Sequence, residues 1–172
     1  MSKPNSIRII FPAAILLLII ISVVYVWFSP SGAEPAPNVE MTELKGGQKI
    51  DLASLRGHPV LVTFWATSCP GCIAEMPHLI KLYKELAPKG FRMIGVAMSY
   101  DLPNHVLEMQ KQKHIPYPIV WDSIGKISRA FGSVTLTPTH FLINPQGEIV
   151  QHKIGDIDIK LLRARVLNML RK

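Results

Sequence analysis

The chain has two cysteines, Cys69 and Cys72, and their arrangement as Cys-Pro-Gly-Cys is its main chemical signal. They follow an apolar run, His58 to Ala66, and open a segment of helical period, so they sit where a strand turns into a helix. A thiol at a helix start faces unpaired backbone amides and the positive end of the dipole, which favour the thiolate and lower its pKa. Pro70 suits the first helical position because it has no amide to lose. One turn on, Cys72 comes beneath Cys69. Attack by Cys69 on a foreign disulfide would give a mixed disulfide, and Cys72 would then displace the reduced product.

The same pair could serve other chemistries. A structural zinc site needs four ligands, and there is no second CxxC or His-x-x-x-His pair. Spacing and location argue against two inert core thiols. Copper(I), satisfied by two soft thiolates, stays open, although Met76, Met93 and Met98 fall at core periods and add little to it. Glu75 lies three residues after Cys72, one helical turn along. Shielded from water, its carboxylate would take up or deliver the proton that exchange at Cys72 requires; exposed, it would be an ordinary first-turn glutamate. Thr137-Pro138 leads into a strand, where a proline removes a ladder donor. A cis bond there would present the backbone of Thr137 to whatever lies against the cysteines. The histidines at 58, 78, 105, 114, 140 and 152 lie outside the CxxC and read as surface or satisfied core groups.

Holding such a pair takes a rigid strand and a helix. Val39 to Gly57 reads as two short strands around Lys45-Gly46-Gly47, whose glycines supply the positive φ of a hairpin turn. The run from His58 to Ala66 suits a central strand buried on both faces. From Cys69 to Ala87, Ile73, Met76, Leu79, Ile80, Leu82, Tyr83 and Leu86 keep a helical period, with Pro77 as a kink and Lys89-Gly90 as the stop. Phe91 to Ser99 is a second buried strand and Leu102 to Lys113 a second helix. Tyr117 to Trp121 is a third strand, and Lys126 to Phe131 a short helix. Thr139 to Asn144 and Gly147 to Lys153 pair about Pro145-Gln146, and Ile157 to Leu170 closes the chain. This order predicts an α/β sandwich, a mixed central sheet with helices on both faces.

With 172 residues there is room for one domain, and 2 Cys and 11 Gly exclude disulfide-framework and collagen-like chains. Ahead of that domain, Ile9 to Phe28 carries no charge and as a helix would span roughly 30 Å, a bilayer's hydrocarbon core. Lys3 and Arg8 precede it and Glu34 is the first charge after it, so residues 1–28 read as a cytoplasmic tip and a single anchor. A cleavable signal peptide is the alternative, though its apolar region usually runs only about 7 to 15 residues. Residues 29–38, with three prolines, read as a spacer, and 39–172 as the folded domain. Beyond the anchor there are 17 basic and 12 acidic residues, and six of the basic ones lie between Lys153 and Lys172. That tail has no interleaved aromatic residue, so it reads as a solvated helix face and not as a nucleic-acid surface.

F-W-A-T-S-C-P-G-C followed by I-A-E-M-P, together with T-P-T-H-F-L-I-N-P-Q-G-E-I, resembles the membrane-anchored thioredoxin-like disulfide reductases of the TlpA and ResA type over residues 39–170. The resemblance implies a thioredoxin-like three-layer fold on the outer side of a bacterial cytoplasmic membrane. It also implies exchange with protein dithiols and disulfides and no cofactor beyond the redox-active Cys69–Cys72 disulfide. On that pattern Cys69 attacks, Cys72 resolves, Glu75 is the acidic partner, Pro138 is a cis-proline opposite the motif, and Trp65 and Thr137 join it on the substrate side. This chain departs from the pattern in four ways. Ser68 stands where Trp is usual, and Thr63 where classical thioredoxins bury an Asp. Pro70-Gly71 is an uncommon dipeptide, and the acidic loop of the cytochrome c maturation members is missing.

Direction stays open at this level, since each tenfold in the exchange equilibrium is only about 30 mV. The absence of a charge between the cysteines favours a reductant, kept reduced by a membrane electron donor. An oxidant and a copper module remain the alternatives. A peroxidase would need a Thr where Ala66 stands.

Overall fold

The computed structural model describes residues 16–22 and 33–171. The chain divides into two units, Met1–Ala33 and Glu34–Lys172. In the first, residues 16–22 are helical (α1), with Leu16 to Ile21 exposed. The rest of the expected anchor, Ile9 to Phe28, lies outside the described residues. Among those described, no helix is long and apolar enough to cross a membrane.

The second unit is built on a six-stranded sheet in the order β1-β8-β7-β4-β5-β6. Strands β4 (Val60–Trp65), β5 (Arg92–Ala97) and β6 (Ile119–Trp121) run parallel. On the other side of β4 lie β7 (Thr139–Ile143) and β8 (Glu148–Ile154), each antiparallel to its neighbour. Every residue of β4 is buried, as its unbroken apolar composition requires of a strand covered on both faces. Strand parity then divides its side chains. Leu61 and Trp65 pack with Met76, Leu79, Leu82 and Leu86 of α2 (Pro70–Leu86), Val106 of α3 (Pro103–Gln112) and Leu162 and Val166 of α5 (Ile159–Leu170). Val62 and Phe64 point the other way, to Ile127 of α4 (Lys126–Ala130), Phe131, Met41 and Leu52.

The hairpin of β2 (Glu40–Thr42) and β3 (Lys49–Asp51) forms a separate two-stranded sheet, as its Gly-Gly turn predicts. It closes over the far edge of the main sheet, where Leu44 N donates to Ile119 O at 2.8 Å. At the opposite edge the structure corrects the domain boundary. Glu34–Pro35 is a short strand, β1, paired with Ile149 and Glu148, and Ala36 N donates to Gly147 O at 2.9 Å. The segment expected to be a spacer up to Asn38 therefore joins the fold from Glu34. A two-residue strand carrying a proline has no periodicity to announce it, and an edge is where a sheet accepts proline.

Helix α2 runs through Pro77 and ends in a 3₁₀ turn, Ala87–Lys89, with Gly90 at φ 109°. Beneath it, Gly95 in β5 is glycine for lack of room. A methyl there would meet Ile119 Cδ1 at 2.6 Å, Trp65 Nε1 at 3.2 Å and Tyr117 Cε2 at 3.4 Å, all on buried side chains. Gly95→Ala is expected to destabilise the domain by about 1–3 kcal/mol through overpacking, read as a lowered urea midpoint at unchanged slope.

Candidate active site

Cys69 caps the N-terminus of α2 and is joined to Cys72 by a disulfide, with the Cα atoms 5.3 Å apart. The Cys72 amide donates to Cys69 Sγ at 3.2 Å, the capping interaction that favours a thiolate there once the bond is reduced. The two sulfurs differ in access. Cys69 retains 9% of its surface and is flanked by exposed Ser68 and Pro70, whereas Cys72 retains 2%. An incoming disulfide therefore meets Cys69 first, and Cys72 acts from below.

The loop that delivers Cys69 is pinned by Asp101, which follows β5. Its carboxylate accepts from Thr67 N and Thr67 Oγ1, both at 2.6 Å, and from Leu102 N at 3.1 Å. Across from the motif the Thr137–Pro138 bond is cis. A methyl on Gly71 would lie 3.6 Å from Pro138 Cδ, an ordinary contact, and 3.1 Å from Oδ1 of exposed Asp156, so the second residue of the dipeptide borders the cis-proline ring and a carboxylate. Thr137 stays partly exposed beside Leu136 and Tyr100, 59% and 60% exposed, and Tyr100 Oη is 3.5 Å from Thr137 Oγ1.

Trp65 does not meet the surface as expected. It is 3% exposed, because as the last residue of β4 it shares the inward parity of Leu61, and its Nε1 has no hydrogen-bond partner among the described residues. It is part of the floor beneath the site. Glu75 is buried too, at 8%, so the ordinary exposed glutamate is not what the fold makes of it. Its Oε2 receives only a long contact from Ile157 N, 3.5 Å.

The residue that supplies Glu75 with a partner is His140. It is fully buried on β7, with Nδ1 2.7 Å from Thr63 Oγ1 and Nε2 3.2 Å from Glu75 Oε1. That second contact has ion-pair distance without the alignment of a hydrogen bond, so Nε2 is otherwise unpartnered. Burial, and after it the charge of Glu75, push the Tyr117 phenol above its ordinary range. The available signal for His140 was a polar residue inside Thr-His-Phe-Leu-Ile, a strand otherwise apolar from Phe141 on. Asp101, Asp156 and Tyr100 had no comparable signal, since each lies in a loop without motif spacing. The methionines that a copper site would recruit, Met76, Met93 and Met98, are packed in the two cores. Among the described residues no group of three His, Cys, Asp or Glu is placed to hold a metal.

Comparisons with known proteins agree with this geometry. The family model described as Redoxin matches residues 31–168. A curated relative, "Thiol-disulfide oxidoreductase ResA" of Bacillus thuringiensis subsp. konkukian, is 35% identical over 122 residues, covering 70% of this chain and 68% of its own. Among solved structures, a putative thioredoxin from Neisseria meningitidis superposes with TM-score 0.74 at 30% identity, covering 81% of this chain and 92% of its own. A thiol:disulfide interchange protein from Chlorobium tepidum superposes with TM-score 0.74 at 28% identity, covering 83% and 99%.

Proposed function

Because the chain belongs to the redoxin family as a ResA-like, thioredoxin-family thiol-disulfide oxidoreductase, we propose that it works as a reductant of disulfides in exported proteins, held at a bacterial cytoplasmic membrane by residues 1–28. One observation carries the direction. The dipeptide between the sulfurs brings no cation, and a carboxylate, that of Asp156, lies beside it. The thiolate is then held by helix amides alone, beside an acid that raises its cost. A reduced form stabilised less strongly gives up its electrons more readily.

In the reductive half-reaction the Cys69 thiolate attacks a substrate sulfur and a mixed disulfide forms. The Cys72 sulfur then attacks Cys69 Sγ, and the second substrate sulfur leaves with the electron pair. Two electrons pass to the substrate, and the enzyme is left with the bond seen here. The substrate chain would lie along the backbone of Thr137, between Tyr100 and Leu136. A dithiol donor in the membrane would return the two electrons. No cofactor enters this cycle.

Equilibrating the full chain with glutathione and dithiothreitol buffers reads the potential of the couple. The expected value is closer to that of thioredoxin, about −270 mV, than to that of DsbA, about −120 mV. A value at the oxidising end would reverse the assignment of direction. Cys72→Ala is expected to accumulate mixed disulfides through Cys69 with exported proteins, and a variant that traps none would count against protein substrates.

A further inference from the structure

Glu75 and His140 are two titratable groups buried against each other, on different elements and 65 positions apart in the chain, and Glu75 lies one helical turn along α2 from the resolving cysteine. The imidazole lies between two groups, with Nδ1 2.7 Å from the Thr63 hydroxyl and Nε2 3.2 Å from the Glu75 carboxylate, the second contact at ion-pair distance without hydrogen-bond alignment. The sheet register explains why they meet. Thr63, His140 and Lys153 are cross-strand partners on β4, β7 and β8, and their side chains share the face covered by α2. Glu75 enters the same space from α2, one turn below Cys72. Thr63 leaves the strand position itself without a carboxyl, so the acid comes from the helix and the base from the neighbouring strand.

Resting on the reductase reading above, we propose that His140 is the positioning residue of the Glu75 carboxylate, and that Thr63, His140 and Glu75 together hold the proton released by Cys72 during resolution. In that step the Cys72 S–H bond breaks and its electron pair forms the bond to Cys69 Sγ. The bond from Cys69 to the substrate breaks, the substrate sulfur departs as a thiolate with that pair, and the proton passes to Glu75 Oε1. There it is shared with His140 Nε2 and reaches the leaving thiolate, or water, afterwards. A carboxylate buried alone would favour its protonated form and take no proton from Cys72. The imidazole keeps it a base.

Among the described residues, the other titratable groups near the pair include Tyr117, in the segment before β6, which burial and then the Glu75 charge keep a neutral phenol. Lys153, across from His140 on β8, is exposed to solvent. Asp156 lies at Gly71, and Asp158 spends its side chain capping α5 through Leu161 N.

The test uses the full reduced chain with oxidised glutathione as the probe, following the mixed disulfide at Cys69 and its resolution by Cys72 as separate phases across pH. In His140→Leu the midpoint for resolution is expected to rise by about one unit or more, making that phase roughly tenfold slower near neutrality, with the Cys69 phase within about twofold of wild type. His140→Gln, which keeps a polar side chain but cannot titrate, is expected to show the same rise, and it carries the test if the leucine variant does not fold. Wild-type midpoints in both folded variants would overturn the proposal. A chain that shows no Cys69 phase at all would overturn the reductase reading instead. Independently of activity, the His140 ring proton followed by NMR is expected to titrate at least about one unit lower in Glu75→Gln. An unmoved titration would show that the two groups do not share a proton.

Discussion

Cys69→Ser is expected to lose disulfide exchange altogether, at least about a thousandfold in turnover of oxidised glutathione, while the domain stays folded. The loss follows from the sulfur and not from the shape. A serine oxygen forms no mixed disulfide, and the remaining thiol, Cys72, retains 2% of its surface and has no path to a visitor. Cys72→Ser separates the two roles, since it should still take one equivalent of probe at Cys69 and then stop. The stability change is expected to be small. Closing a loop with a separation of 3 residues is worth about 2 kcal/mol in the chain-entropy estimate, so oxidised wild type should exceed Cys69→Ser by roughly that amount and reduced wild type should match it. Urea titrations of the three forms check the stability, and a stopped assay with labelled glutathione checks the chemistry. Turnover by Cys69→Ser within a factor of ten of wild type would mean that Cys72 is the entering thiol and that the exposure of the two sulfurs has been misread.

The elements that hold this pair were legible because each rests on local pattern. His58 to Ala66 has no polar interruption a solvent face would need, Pro70 marks a first helical turn, and Met76, Leu79 and Leu82 repeat with the helix. Glu75 was legible for the same reason, being one turn from Cys72 on the same helix. His140 was not. Its partners sit on two other elements, and nothing in its own neighbourhood says that Thr63 lies opposite it, which only the β4–β7 register establishes. Trp65 shows the complementary failure. Its place in the motif suggested a surface role, yet counting in twos from Leu61 puts it on the inward face. Glu34–Pro35 was read as spacer because the pairing that recruits it belongs to the free edge of β8 and not to its own residues.

Strand parity also separates chemistry from stability, and Phe64 is where the separation is largest. Its ring is fully buried, with edge-on contacts to Phe131 at 5.5 Å and Phe141 at 5.9 Å, themselves 4.8 Å apart. Phe64→Ala removes a whole ring from a cluster whose other members stand at the end of α4 and on β7 and have little freedom to collapse inward. The expected cost is about 3–5 kcal/mol, or roughly 10–20 °C in Tm for a domain of this size. Against a total stability of typically about 5–15 kcal/mol this is a large fraction. Yet Phe64 points away from α2, so at a temperature where the variant remains folded by near-UV circular dichroism, exchange per folded molecule should stay within about twofold of wild type. Thr63, the preceding residue of the same strand, faces the other way onto His140. If Phe64→Ala lowered the exchange rate or shifted its pH midpoint while still folded, the central strand would be transmitting strain between its two faces. The Thr63–His140 contact would then be the first place to look for it, because β4 can move one side chain only by moving the next.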